Sequence, residues 1–191
     1  MSADPAVGLG QIEAADPAFD LELFKRQAVQ TFLAVKQAIA SRDLSDVVDE
    51  LSDRVYDDLR LDVQGLLARD AVQHFDGLAP TQVVVAAAER GSQGDVITLR
   101  IQAVAMEFLG PADSGGLSPG APGAFTEFWT FSRPLDATAP VTRPNECPTC
   151  GAPIDVDTGR ICRYCKTLLP PPHAQRGWVV AAIQPAQETL D

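Results

Sequence analysis

QVVVAAAERGSQGDVITLRIQAVAMEFL, residues 82–109, decides the fold class. Gln82–Arg90 and Asp95–Leu109 are runs rich in β-branched and apolar residues, and Gly91-Ser92-Gln93-Gly94 between them has the length of a hairpin connection. In the second run Ile97, Leu99 and Ile101 share one face, while Thr98, Arg100 and Gln102 share the other. That period of two predicts antiparallel strands with one side on a core and the other partly wet.

Working outward, residues 110–124 are rich in Gly, Pro and Ser and lack core-forming side chains, so they read as a loop. FTEFWTFSR (Phe125–Arg133) and GWVVAAI (Gly177–Ile183) supply a third and a fourth strand. Upstream the period changes. Leu21, Phe24, Ala28, Phe32, Val35 and Ile39 recur at spacings of three and four, the apolar face of a helix about six turns long. Asp16-Pro17 is its predicted start, a cap followed by a proline in the first turn. Leu44, Val47, Val48 and Leu51 predict a short second helix. Ser52 or Asp53 caps a third, whose apolar positions are Val55, Leu59, Val63, Leu66 and Leu67. Residues 1–16 are small, acidic and aperiodic and read as a flexible lead-in, and residues 186–191 as a tail. Three helices followed by four hairpin-linked strands predict an α+β fold, a curved antiparallel four-stranded sheet wrapped against the long first helix.

The chain has 191 residues, a hydrophobic fraction of 46% and a formal net charge of −11. Those values fit a globular domain with a small appendage. Most of the acids lie in the first eighty residues, whereas the last fifty or so are charge-balanced. An acidic first half repels phosphate backbones and anionic headgroups, so nucleic acid is not an expected partner, and basic protein surfaces remain compatible. The longest apolar run, Val83–Ala88, falls far short of the roughly 20 residues that span a bilayer. The first residues show no basic start and no apolar core of a signal peptide, so a cytoplasmic location is expected.

All 4 cysteines fall in CPTCGAPIDVDTGRICRYC, Cys147 to Cys165. Each CxxC turn presents two thiolates to the same side, and two such pairs complete a tetrahedral sulfur shell. Cys147, Cys150, Cys162 and Cys165 are therefore the expected ligands of a zinc ribbon at residues 144–169, inserted before the last strand. Lys166, Arg163 and Arg160 stand close by to offset the charge of four thiolates. Iron fits the same sulfurs. Disulfides would need an oxidising compartment, for which no export signal speaks. Four thiolates close the coordination shell, so the metal reads as structural.

The long first helix, SRDLSDVVDELSDRVYDDL (Ser41–Leu59), the strand with EFWTFSR and the final GWVVAAIQP together resemble the Tim44-like domain family. That family takes its name from the anchor subunit of the mitochondrial import motor. The resemblance spans residues 17–185, interrupted by the ribbon, and Cys147-Pro148-Thr149-Cys150-Gly151 matches the CPxCG ribbon of bacterial relatives. It implies a cone-shaped fold of the nuclear transport factor two type and a non-catalytic adaptor role. It also implies a protein partner, peripheral membrane association, and a hydrophobic pocket that takes a lipid-like ligand. Trp129, Phe131, Trp178, Tyr56 and Glu127 are the candidate pocket residues. For the large aromatics, packing in a core competes with lining a cavity.

The cone fold also hosts enzymes, and the alternative reading is a small-molecule enzyme working through Glu127 or Tyr56. Asp58, His74 and Glu107 are further carboxylates and a histidine to consider. Glu107 reads as solvent-facing and His74 as part of a surface turn. No phosphate loop, nucleophile elbow or His-rich metal signature occurs, and no catalysis is expected. For the ribbon, native mass spectrometry of protein purified without added metal should show one zinc per chain, lost in Cys147→Ser. Metal-free protein carrying two disulfides would refute the ribbon.

Overall fold

The computed structural model describes residues 4–111, 121–135, 152, 164–166 and 177–186. Helix α1 spans Pro5–Ala15, α2 Leu21–Ser41 and α3 Asp53–Ala68, with a 3-10 helix at Ser45–Glu50. Strands β1 (Ala71–Arg90), β2 (Asp95–Pro111), β3 (Gly123–Arg133) and β4 (Val179–Pro185) form one antiparallel sheet in the order β1-β2-β3-β4. The α+β reading and the hairpin at 91–94 hold: Arg90 pairs with Asp95, and Gly91 N–H donates to Gly94 O at 2.9 Å. The ribbon expected at 144–169 falls almost wholly outside the described residues, as do most of the tail and residues 112–120 of the loop.

The sheet is curved by its own irregularities. β1 carries register shifts at Asp76/Ala79, Pro80/Gln82 and Val85/Ala87. Each extra residue bends the bulged strand and increases its twist. Gly77 supplies a positive φ of 66° at the first of them, and Pro80 is tolerated because β1 is an edge strand with bulges. The consequence is closure: β1 and β4 lie at opposite edges, yet α3 packs against both. At the free edge of β4, Leu51 forms an isolated parallel bridge with Val180, and Ser52 N–H donates to Val180 O at 2.9 Å. That contact covers backbone groups which would otherwise be open to pairing with another chain.

Alternation along β2 and β3 builds the core. Ile97 faces in beside Phe131, Leu99 beside Trp129, and Ala103 beside Phe125. The row Phe24, Ala28 and Phe32 of α2 settles on them. Phe24 meets Phe131 edge-on at 5.4 Å, and Phe32 meets Trp129 edge-on at 5.3 Å. Such edge-to-face pairs contribute about 0.5–1.5 kcal/mol each beyond their buried area. Ser52 caps α3 by accepting from Val55 N–H, as its position predicts. Asp43 accepts the Ser45 N–H at 3.0 Å ahead of the 3-10 helix. Hydrogen bonds from the Ser45 backbone and then its side chain lower the Asp43 carboxyl pKa. This contribution is present at neutral pH and is lost as pH falls through the folded-state value.

Three sequence expectations need correction. Within the expected lead-in, Pro5–Ala15 is instead a helix whose Ile12 is fully buried. Its packing rests on Gly8, where backbone replaces side chain. A Cβ there would lie 1.9 Å from Ala88 O. A helix that docks through its own backbone shows little apolar periodicity. Second, α2 starts at Leu21 with Asp20 as its cap, not at Asp16-Pro17. Asp16 instead accepts Ala18 N–H within a turn. Third, β1 begins at Ala71, so His74 lies in a strand and stacks on Phe108 with centroids 4.5 Å apart, rather than sitting in a surface turn.

Gly8 and Gly10 make a matched pair, since nothing lies within 4 Å of a Cβ at Gly10. Alanine favours a helix interior by about 1 kcal/mol over glycine. Gly10→Ala should therefore raise stability by up to that amount in urea denaturation. Gly8→Ala should lower it by about 1–3 kcal/mol, because α1 must lift off β1. Stabilisation by Gly8→Ala would show that the close approach is not as described.

Candidate functional site

Two polar groups face the aromatic core from opposite ends of β3. They follow from parity. The inward row of β3 is Phe125, Glu127, Trp129, Phe131 and Arg133, so each apolar stretch is bounded by a charge. The inward row of β2 likewise begins with Asp95 before Ile97.

At the hairpin end, Arg133 Nε donates to Asp95 Oδ2 at 2.9 Å and its Nη1 to Asp16 Oδ2 at 2.6 Å. Arg90 Nη1 donates to both oxygens of Asp95, at 2.8 and 3.0 Å. Asp95 is 1% exposed and Arg133 5%. The guanidinium also lies over Trp178, 4.9 Å from the ring centroid, and over Phe19 at 5.7 Å. Trp178 in turn packs on Phe24 at 5.0 Å. This cluster ties the segment joining α1 and α2 to the sheet.

At the other end, Glu127 Oε1 accepts from Lys36 Nζ at 2.6 Å and Oε2 from Trp129 Nε1 at 2.9 Å. The Lys36 ammonium lies 4.9 Å from the centroid of Phe75, 5.4 Å from Phe125 and 5.7 Å from Phe32. The lysine is 8% exposed and has left water for an aromatic cage with one carboxylate. Phe75 comes from the bulged first half of β1, and Phe125 from the start of β3. The caging rings belong to three different elements, so the curl of the sheet assembles the site. Its chemistry is that of a buried cation held by π faces and one counter-ion.

Among the sequence-selected residues, Trp129 and Phe131 are buried in the core. Trp178 and Tyr56 are partly buried against it. Trp129, Phe131 and Glu127 share the inward face of β3, while Trp178 joins the opposite, Arg133 end. Tyr56 on α3 makes none of the polar contacts around Glu127. Glu107 is exposed and accepts from Gln73 Nε2 at 3.0 Å, and Asp58 is exposed as well. Cys147, Cys150 and Cys162 lie outside the described residues; Cys165 is described. No group of three or more metal-ligating side chains comes together among the described residues.

Sequence reasoning passed over Lys36, Arg133 and Asp95, and read Asp16 only as a helix cap. A signal for Lys36 was present, because it extends the row Phe24, Ala28, Phe32 by one more step of four. Strand parity likewise points Asp95 and Arg133 inward.

Residues 6–141 match the family model described as Tim44-like domain. The match takes in α1, which the sequence resemblance left out, and stops before the cysteines and β4. No curated protein matches the chain. No helix among the described residues is long and apolar enough to cross a membrane.

Removing one member of the Arg133 cluster strands the rest. Arg133→Met should cost on the order of 3 kcal/mol in chemical denaturation, because Asp95 and Asp16 lose a buried partner. The double variant Asp95→Asn/Arg133→Met should recover part of that loss. A single variant within about 0.5 kcal/mol of the parent, the range of an ordinary surface substitution, would refute the buried network.

Proposed function

The chain belongs to the Tim44-like domain family, and from that membership and the cage at Lys36 we propose a non-catalytic binding domain associated with protein translocation. It holds a protein partner's apolar segment or a lipid-like ligand at the concave end of the sheet, where Phe75 and Phe125 stand half-buried. The ribbon at Cys147, Cys150, Cys162 and Cys165 carries structural zinc and presents a rigid edge beside this domain. Partners of this kind suit a domain working at the membrane periphery from the cytoplasmic side.

One observation supports binding over catalysis. Both oxygens of Glu127, the acid nearest a proton-transfer role, are engaged by Lys36 and Trp129. A general base needs a lone pair aimed at substrate and a pKa near the working pH. A carboxylate whose two oxygens accept from Lys36 and Trp129 is instead turned inward with its lone pairs occupied. Aromatic side chains at the end of a curled sheet suit recognition of apolar groups.

A photo-crosslinking phenylalanine placed at Phe75 tests this in the native host. Arg100, on the opposite face of β2, is the control position. Crosslinks to a protein or a lipid should form from Phe75 and be absent from Arg100. Equal yields at both positions would overturn the assignment of the concave end.

A further inference from the structure

Asp76-Gly77 is the only Asp-Gly pair in the chain. An aspartyl carboxyl carbon and the nitrogen of the next residue can close into a small imide ring. A side chain on the next residue hinders approach to that nitrogen, and glycine has none. Within a regular strand the ladder protects such a pair, because it ties up N–H groups and holds each peptide extended.

At Asp76 the ladder is broken. Asp76 pairs with Met106 and Ala79 with Val104, so Gly77 and Leu78 both stand opposite Ala105. A bulge of this kind disrupts the local pairing. Gly77 has a φ of 66°, outside the extended region. β1 is an edge strand, and Asp76 and Gly77 are both exposed, so water reaches the pair. Two other aspartates show what each condition adds. Asp95 is 1% exposed, lies in the regular ladder opposite Arg133, and precedes the β-branched Val96. Asp70 is exposed and has a φ of 47°, but it precedes Ala71, whose Cβ shields the nitrogen.

We propose that the bulge at Asp76-Gly77 is a site of spontaneous backbone isomerisation, which makes the folded protein a substrate for a carboxyl methyltransferase that recognises isoaspartate. The Gly77 nitrogen bonds to Asp76 Cγ, and the carboxyl hydroxyl leaves with the amide proton as water. Water then opens the resulting imide at either carbonyl. Opening at Cγ restores aspartate. Opening at the main-chain carbonyl leaves Gly77 joined through Cγ, with the former main-chain carboxyl as the free acid. The methyltransferase esterifies that acid from S-adenosylmethionine, and the ester recloses to the imide by losing methanol. In the isoaspartyl form the main chain gains a methylene beside Phe75, whose ring centroid lies 4.9 Å from the Lys36 ammonium. The modification therefore acts on the cage from its β1 side.

Incubation of the full folded chain at neutral pH, beside a sample unfolded in guanidinium, separates sequence from structure. Peptide mapping with electron-transfer fragmentation distinguishes isoaspartate from aspartate of equal mass. Methyl acceptance from labelled S-adenosylmethionine is the second readout. Isoaspartate should accumulate at position 76 in the folded chain as well as in the unfolded one, and at neither Asp70 nor Asp95 in the folded chain. Asp76→Glu keeps the charge but demands a larger ring, and should lose both the product and the methyl acceptance. Isoaspartate formed only in the unfolded chain would show that the bulge protects the pair and would overturn the proposal. Equal conversion at Asp70, or methyl acceptance undiminished in Asp76→Glu, would overturn the assignment to this bulge.

Discussion

The meeting of β3 with α2 sets the rest of the structure. A strand repeats every second residue and a helix every three or four, so few positions of one can face the other at once. Here Phe131 finds Phe24, Trp129 finds Phe32, and Glu127 finds Lys36. The two elements run past each other in opposite directions, the contacts falling eight and then four residues apart along the helix. Trp129, fully buried at the middle of the row, meets Phe32 edge-on and donates its N–H to Glu127.

Charges at both ends of the row make the match specific. Apolar side chains alone tolerate sliding, because one ring can replace another. Moving β3 by two residues would press Glu127 or Arg133 against an apolar neighbour and leave Lys36 or Asp95 buried without its partner. Such stranded charges cost several kcal/mol, more than an aromatic pair returns. The register of β3 on β2 follows from the same constraint, since Asp95 lies directly opposite Arg133. The register also places Phe125 at the open end, where the bulges of β1 bring Phe75 round to the other side of Lys36. The alignment thus sets register and places Lys36 beside Phe125, while the bulges of β1 complete the cage.

The elements most legible in the sequence are those whose side chains do the packing. The alternation of Ile97, Leu99 and Ile101 gave the sheet, the row from Phe24 to Phe32 gave the long helix, and Ser52 gave a helix start. What stayed hidden packs through backbone or through charge. α1 docks by the bare backbone of Gly8, which leaves almost no apolar periodicity to read. The first half of β1 contains Gly77 and Pro80, residues that normally end strands and here mark bulges. Lys36 shares a helical row with three apolar residues, but a lysine in such a row reads as solvent-facing until a carboxylate is known to wait opposite it. Glu127 shares strand parity with Trp129 in the sequence, but parity does not supply the cation that neutralises it.

The two ends of the core differ in how their charges are held. At the hairpin end, Asp95 receives N–H bonds from two arginines, and Arg133 reaches a second acid at the start of the chain. Every strong charge there is answered by another, so the cluster acts as a fastening for α1. At the other end, among the described residues, the Lys36 ammonium lies against three ring faces and donates to one carboxylate oxygen. Burying this pair costs desolvation that an apolar residue at position 36, packed against Phe32 and Phe125, would avoid. What the pair returns is specificity, because Lys36 and Glu127 fix which turn of α2 meets which residue of β3.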